Sequence, residues 1–249
     1  MTKVTINCDM GEAFGIYKLG DDVACMPFVT HANIACGFHA SDPRVMRRTV
    51  REAKRHGIGV GAHPGFNDRE GFGRREIRMP REDVAAMVIY QVGALKAFCD
   101  VEGVPMTHIK PHGALFGMAM KDEAMAHGIA DAAEAFGLPL IAFANCVQEE
   151  VYSSRGIPFS CEFYADLDYD DHGWQIITME HDPVEPEAVA AKVVRAVEQG
   201  LTTSVNGRDV AVRADTICVH SDTPDAVTVA RAVHKALEPM LTTNIVPQR

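Results

Sequence analysis

Seven short apolar segments of this chain each end in a polar residue that can take part in chemistry, and amphipathic helical stretches separate most of them. Alternating strands and helices with reactive side chains at the strand ends are typical of a parallel β/α barrel, whose site lies at the C-terminal rim. The segments end at Asn7 and Asp9, Asn33, His63, Lys110 and His112, Asn145, Glu162, and His220 with Asp222. We therefore predict an α/β chain that folds as one barrel domain over residues 1–249.

The amino-acid composition limits the kinds of molecule that the chain can bind. The chain has 249 residues, 47% of them hydrophobic and 23% charged, which is the balance of an ordinary globular protein. Its net charge of -10 argues against nucleic acid as a partner, because such binding depends on Lys and Arg neutralising phosphates. The seven cysteines are an odd number without a C-x-x-C pair, which favours reduced thiols and a cytoplasmic location. We expect no apolar stretch of membrane-span length, hence no membrane partner, and a small-molecule ligand.

Local patterns predict where the elements begin and end. Asp42-Pro43 opens a helix that Gly57 closes, and Asn206-Gly207 between two β-prone runs predicts a hairpin outside the barrel. Strands are predicted over 3–8, 28–35, 58–63, 140–143, 158–162 and 216–220, with helices over 84–99, 122–136, 186–199 and 224–237.

The strand before His63 carries glycines on the same face as the histidine. Gly59, Gly61 and His63 alternate with apolar residues, so their positions share one side of an extended segment. Two missing side chains beside an imidazole predict room for a ligand there.

Several residues are candidates for proton transfer. Asp9 and Glu12 follow the first strand, where carboxylates can serve as general base or hold a cation, although Asp9 can also simply cap a loop. His39, His63 and His112 lie near strand ends, and imidazole suits both proton transfer and divalent metal. Their spacing matches no H-E-x-x-H motif, so the sequence does not decide whether a metal is bound.

Lys110 stands at the end of a predicted buried strand. A buried ammonium group needs an anionic partner, which is either a substrate oxyanion or phosphate, or an internal salt bridge with Asp9 or Glu162. The loop pair Arg74-Arg75 either clamps an anion or is a solvated surface pair, and we interpret Asp222 as a helix N-cap.

These considerations give two sets of predicted site residues. The catalytic candidates are Asp9, His63, Lys110 and His112. The predicted substrate-binding residues are Asn7, Glu12, Asn33, His39, Arg74, Glu162 and His220.

Five phrases in the chain point to a known family. They are INCDMGEAFG, NIACGFHASDP, GAHPGFNDREGFGRRE, HIKPHGALF and ICVHSDTPDA. In this order they resemble the LamB/YcsF family, the group of the bacterial 5-oxoprolinase A subunits. The resemblance implies a (β/α)7 TIM-like barrel, similar to glycoside hydrolases and polysaccharide deacetylases.

The resemblance also implies an activity. It is ATP-dependent opening of the lactam of 5-oxo-L-proline to L-glutamate, carried out with two further subunits of the B and C type. Phosphorylating the lactam oxygen would make a weak electrophile reactive, and Lys110 with the arginine loop would hold the phosphate while Asp9 or a histidine activates water. The chain contains no G-x-x-x-x-G-K-[ST], so ATP binds in another way or on a partner.

The sequence departs from the family at several places. Leu167 and Thr178 stand where the family has arginines, and Ser221 replaces a glycine. Two lost guanidinium groups would alter recognition of anions. Two alternatives therefore stay open: a self-sufficient metal-dependent deacetylase or amidase that uses Asp9 and the histidines, and a non-catalytic ligand-binding subunit.

Overall fold

A closed barrel of parallel strands forms the centre of the computed structural model, which describes residues 3–176 and 184–245. The barrel strands are β1 Thr5–Met10, β2 His31–Ala35, β3 Gly59–His63, β4 Met106–Ile109, β5 Leu140–Ala142, β6 Phe159–Tyr164 and β9 Thr216–His220. They lie in the order β1-β2-β3-β4-β5-β6-β9, so the last strand closes against the first. The predicted seven-stranded β/α barrel is confirmed.

Helices surround this barrel. They are α1 Asp22–Cys25, α2 Pro43–His56, α3 Arg81–Glu102, α4 Gly113–Ala119, α5 Glu123–Phe136, α6 Val147–Ser154, α7 Pro186–Gln199 and α8 Ala226–Leu237. Two short 3-10 helices cover Met26–Phe28 and Glu238–Met240. The predicted hairpin is also present, as the separate two-stranded sheet of β7 Leu201–Thr203 and β8 Asp209–Ala211.

Helix α2 shows why the local signals were reliable. The Asp42 side chain accepts hydrogen bonds from the backbone N–H groups of Arg44 and Val45, which have no partner within the helix. Gly57 ends the helix with φ +67°, a left-handed conformation that glycine adopts without steric cost. The predicted bounds of this helix are therefore confirmed.

Two boundary predictions were wrong. The second strand begins at His31, since Met26–Phe28 forms a 3-10 helix with a proline in its first turn. Asp222 is not a helix N-cap, because α8 starts only at Ala226 and Asp225 precedes it with φ +57°. Thr178 lies outside the described residues.

Helix α3 corrects the expectation that no apolar stretch reaches membrane-span length. It has 22 residues and is apolar enough, by length and composition, to cross a membrane. In this fold it lies against α5 and the barrel, and Gln91 in its middle exchanges hydrogen bonds with the backbone of Gly65. Its buried apolar face consists of Val84, Val88, Val92, Leu95 and Cys99. We therefore interpret α3 as an outer helix of the barrel.

The barrel interior is polar, and it fills the space that the β3 glycines leave. A Cβ atom on Gly59 would lie 2.3 Å from Cδ2 of His31, and one on Gly61 would lie 2.1 Å from Nε2 of His108. The prediction of ligand room beside His63 was wrong at these positions, because two imidazoles from the neighbouring strands occupy it.

Candidate active site

The carboxyl ends of the strands surround one pocket. Its lining residues are Asp9, Glu12, His63, Arg74, Lys110, Pro111, His112, Gly113, Tyr164, Leu167, His220 and Asp222. The structure thus brings together all four predicted catalytic candidates with predicted binding residues from distant parts of the sequence. Asn145, at another strand end, does not line this pocket.

Asp9 lies at the centre of the polar contacts. Its Oδ1 accepts hydrogen bonds from Nδ2 of Asn33 at 2.8 Å and from Nζ of Lys110 at 2.9 Å. Its Oδ2 lies 3.3 Å from Nε2 of His63. Burial raises the pKa of Asp9, but the charges of His63 and Lys110 outweigh burial and hold this pKa well below its ordinary value. The carboxylate is therefore ionised at neutral pH.

Lys110 has two carboxylate partners. Nζ lies 2.9 Å from Asp9 Oδ1 and 2.9 Å from Glu162 Oε1, and the side chain is only 2% exposed. Burial lowers the pKa of Lys110, but the neighbouring anions outweigh it and raise the pKa well above its ordinary value. Of the two alternatives for Lys110, the internal salt bridge is thus present, and it involves both Asp9 and Glu162.

Three predicted binding residues lie beneath the pocket rather than in its wall. Asn7, Asn33 and Glu162 are buried inside the barrel. Asn33 donates to Asn7 Oδ1 at 2.7 Å as well as to Asp9, and Glu162 pairs with Lys110. Their side chains face the barrel interior because successive side chains of a strand point to opposite faces. Their hydrogen bonds and ion pair therefore position Asp9 and Lys110.

Two backbone carbonyls fix the orientation of two pocket histidines. Nδ1 of His63 lies 2.7 Å from the Lys110 carbonyl oxygen, and Nε2 of His112 lies 2.7 Å from that of Phe72. A carbonyl oxygen only accepts, so each of these nitrogens carries the hydrogen. The other two nitrogens, His63 Nε2 and His112 Nδ1, face each other at 3.0 Å.

Glu12 and His39 complete this cluster. Glu12 Oε1 lies 3.1 Å from His39 Nε2 and 3.4 Å from His112 Nδ1, and the His39 and His112 rings stack with centroids 3.7 Å apart. Burial raises the pKa of Glu12 and lowers the pKa values of His39 and His112. One donor atom from each of Glu12, His39, His63 and His112 lies within 4.8 Å of the others, so the cluster can hold a cation.

His220 forms a second charged pair at the rim. Its Nδ1 lies 2.9 Å and 3.0 Å from the two carboxylate oxygens of Asp166. Burial lowers the pKa of His220, but Asp166 outweighs this effect and raises the pKa to about 9. At neutral pH His220 is therefore a cation whose charge Asp166 balances.

The two arginines of the loop differ in their contacts. Arg75 forms an ion pair with Asp68, whereas Arg74 lines the pocket with its guanidinium carbon 5.3 Å from the Phe72 ring centroid. Within the described residues the Arg74 guanidinium has no hydrogen bond or ion pair. In the described chain Arg74 is thus a cation without an ion-pair partner at the pocket, whereas Arg75 is 62% exposed and tied to Asp68, so the two arginines do not act as one pair.

Sequence reasoning missed two residues that support the pocket. Asp166 pairs with His220, and Asp22 accepts hydrogen bonds from Gly11 N–H and the Ser221 hydroxyl. Asp166 closely follows strand β6, directly before Leu167, which lines the pocket, and that position was an available signal. No sequence signal pointed to Asp22, because its hydrogen bonds to Gly11 and Ser221 depend on how its loop folds back towards the rim.

Comparisons with known proteins agree with this architecture. The LamB/YcsF family model matches residues 4–246. The A-type 5-oxoprolinase subunit of Symbiobacterium thermophilum is 45% identical over 240 residues, which cover 95% of this chain and 92% of the relative. One such subunit of Pseudomonas syringae pv. tomato, numbered 2 in its name, is 44% identical over 243 residues, with 95% and 96% covered.

Solved structures are similar as well. The lactam utilization protein from Thermus thermophilus is 42% identical, with a TM-score of 0.90 over 98% of this chain and 100% of that chain. A putative cellobiose-phosphate cleavage protein from Enterococcus faecalis has a TM-score of 0.52 at 15% identity, covering 98% and 96%. The second likeness is one of fold alone.

Proposed function

The chain belongs to the LamB/YcsF family, and from this premise we propose that it is one subunit of an ATP-dependent 5-oxoprolinase. The complex would open the lactam of 5-oxo-L-proline to L-glutamate with release of ADP and phosphate. One observation carries the proposal. The chain is similar over nearly its whole length to 5-oxoprolinase A subunits, and its strand-end residues meet around one pocket. ATP dependence and the substrate are part of this proposal.

The pocket suits a small anionic lactam. 5-Oxoproline carries one carboxylate, and Arg74 is the cation at the pocket without an ion-pair partner in the described chain. Guanidinium binds carboxylate through two parallel hydrogen bonds. Leu167 adds an apolar surface against which the ring methylenes can pack.

Asp9 is the residue best placed to assist water. In the proposed reaction ATP would phosphorylate the lactam oxygen and leave as ADP, one water would add to the lactam carbon as the C–N bond breaks and a proton moves to the nitrogen, and a second water would release phosphate from the resulting acyl phosphate. Asp9 is ionised, and Asn33 and Lys110 fix it through Oδ1, leaving Oδ2 on the His63 side. In this proposal Asp9 takes the proton from water, and Lys110 is a positioning residue that acts through Asp9.

The lining of this pocket favours binding of the nucleoside triphosphate on another subunit. Asp9, Glu12 and Asp222 line it, so an added polyanion would meet carboxylates. Lys110 and His220 offer no free charge, because each is already paired with carboxylate. We therefore place ATP on a B- or C-type partner, and Lys110 has no phosphate-holding role in this proposal.

The proposal includes two partner subunits of the B and C type and a cytoplasmic location. The relatives are named as one lettered component of 5-oxoprolinase, which supports the existence of partners. All seven cysteines are free and buried, as reduced thiols would be, and this supports the location.

Reconstitution tests the function. The chain is combined with B- and C-type subunits, 5-oxoproline and ATP, and L-glutamate is measured. We expect turnover that requires all three proteins and ATP, and its loss in Asp9→Asn. Asp100→Asn is the matched control, since the Asp100 side chain is 62% exposed and, among the described residues, forms its ion pair with Lys96 one helical turn away.

Other outcomes would support the alternatives. Hydrolysis of small amides by the chain alone, abolished by a chelator, would indicate the metal-dependent amidase. 5-Oxoproline that binds and is recovered unchanged from the complete mixture would indicate a ligand-binding subunit. Either result contradicts the proposed function, and full turnover in Asp9→Asn contradicts the role given to Asp9.

A further inference from the structure

Two histidine nitrogens face each other at the wall of the pocket. His63 donates through Nδ1 to the Lys110 carbonyl, and His112 donates through Nε2 to the Phe72 carbonyl. In neutral rings the remaining nitrogens, His63 Nε2 and His112 Nδ1, carry lone pairs, yet they face each other at 3.0 Å. Two acceptors at this distance repel each other, and a positive charge relieves the repulsion, either as the charged His63 that acts on Asp9 or as a bound metal cation.

The neighbouring groups are also acceptors. Glu12 Oε1 lies 3.4 Å from His112 Nδ1, and Asp9 Oδ2 lies 3.3 Å from His63 Nε2. Bonds of about 2.0–2.1 Å in a tetrahedral zinc site place donor atoms about 3.3 Å apart. The separations of His112 Nδ1 from His63 Nε2 and from Glu12 Oε1, 3.0 Å and 3.4 Å, are close to that spacing.

The outer contacts resemble those of a built metal site. Histidines that bind metals usually donate their second ring N–H to a carbonyl or carboxylate, which fixes the ring and its tautomer. Both His63 and His112 do so here. His39 in turn lies 3.1 Å from Glu12 through Nε2 and stacks on His112, so it holds the carboxylate and the ring in place.

We propose that His63, His112 and Glu12 bind one divalent cation of the zinc class at the wall of the pocket. Two imidazole nitrogens with one carboxylate suit zinc and its transition-metal neighbours, whereas magnesium and calcium prefer oxygen donors alone. His39 is a positioning residue for Glu12. The cation faces the pocket beside Asp9, where it can polarise a carbonyl oxygen or a water molecule. The inference rests on the geometry of this chain and does not depend on the lactam as substrate.

Metal uptake by the isolated chain tests the proposal without any activity measurement. The full-length chain is stripped with a chelator, dialysed and titrated with zinc chloride in a calorimeter, and cobalt(II) is then used as an absorbing probe. We expect one equivalent of either metal per chain. The cobalt spectrum should show visible bands of a low-coordinate nitrogen and oxygen site and lack a thiolate charge-transfer band, since no cysteine is among the proposed ligands and all seven are buried.

Variants assign the uptake to these residues. His63→Gln and Glu12→Gln should each weaken zinc binding more than tenfold. His56→Gln, on the exposed end of α2, should bind like the parent chain. Circular dichroism verifies folding of each variant, and the parent titration decides the matter even if one variant misfolds.

Three outcomes would overturn the site. One is a folded parent chain that takes up neither zinc nor cobalt, which would leave a proton on His63 as the occupant of the gap. Another is binding unchanged in both folded variants. The third is a cobalt spectrum with thiolate ligation.

Discussion

Replacing Lys110 by methionine tests the charge balance beneath the pocket. Methionine keeps much of the side-chain length but removes the ammonium group that lies 2.9 Å from both Asp9 and Glu162. Removing one partner of a buried ion pair costs about 3–5 kcal/mol, because the remaining charge stays buried without compensation. Here two carboxylates lose their common cation, so we expect a loss of about 4 kcal/mol in the free energy of unfolding.

A double-mutant cycle separates this effect from a simple packing change. Glu162→Gln removes one of the stranded charges, so the double variant Lys110→Met/Glu162→Gln should lose about 1–3 kcal/mol less than the sum of the single losses. Urea unfolding followed by circular dichroism gives the four free energies, with an unchanged dependence on denaturant as the sign of intact two-state behaviour.

The matched control is Lys96→Met, which breaks an exposed ion pair with Asp100 on α3. Exposed pairs of this kind contribute about 0.3–0.5 kcal/mol. Additive single losses, or a Lys110→Met loss as small as that of the control, would refute the reasoning from buried charge.

Three further predictions concern packing, pH and thiols. Gly61→Ala should lower the free energy of unfolding by about 1–3 kcal/mol, because the new Cβ would lie 2.1 Å from Nε2 of His108. The control Gly117→Ala, which has open space around it in α4, should not lower this free energy. Equal losses in the two variants would contradict the prediction. A hydrogen bond from Arg81 lowers the pKa of Asp131 to about 2, so Asp131→Asn should lose on the order of 1 kcal/mol above about pH 4, after allowance for solvent screening. This loss should vanish as the pH falls towards 2, where the native carboxylate protonates, and a pH-independent difference in urea unfolding would be inconsistent with it. A thiol reagent should react with the cysteines slowly in the native chain and with all seven in denaturant, and rapid native labelling would disagree with their burial.

The sequence contained enough local information for most of the fold. Asp42 and Gly57 bounded a helix, and Asn206-Gly207 gave a hairpin, because each of these signals acts through backbone groups a few residues away. The prediction of Asp222 as an N-cap was wrong because the helix begins after Asp225. Asp225 has a left-handed conformation, and no neighbouring residue type predicts it.

The site was predictable in membership but not in arrangement. Strand-end position alone brought Asp9, His63, Lys110 and His112 to one pocket, since parallel strands end at one rim. What orients them is not visible in the sequence: the carbonyl of Phe72 holds His112, and any residue type offers a carbonyl.

The ion pairs of Lys110 with Asp9 and Glu162 determine whether Lys110 can bind an anion in the pocket. A substrate anion approaching Lys110 would have to displace Asp9 or Glu162, and the displaced carboxylate would then be buried without a counter-charge. Arg74 requires no such exchange, because the described chain offers it no ion-pair partner. In the proposed function, anion recognition and the fixing of Asp9 are therefore separate tasks for different cations, so a pocket walled by carboxylates can accept the carboxylate of 5-oxoproline beside Arg74.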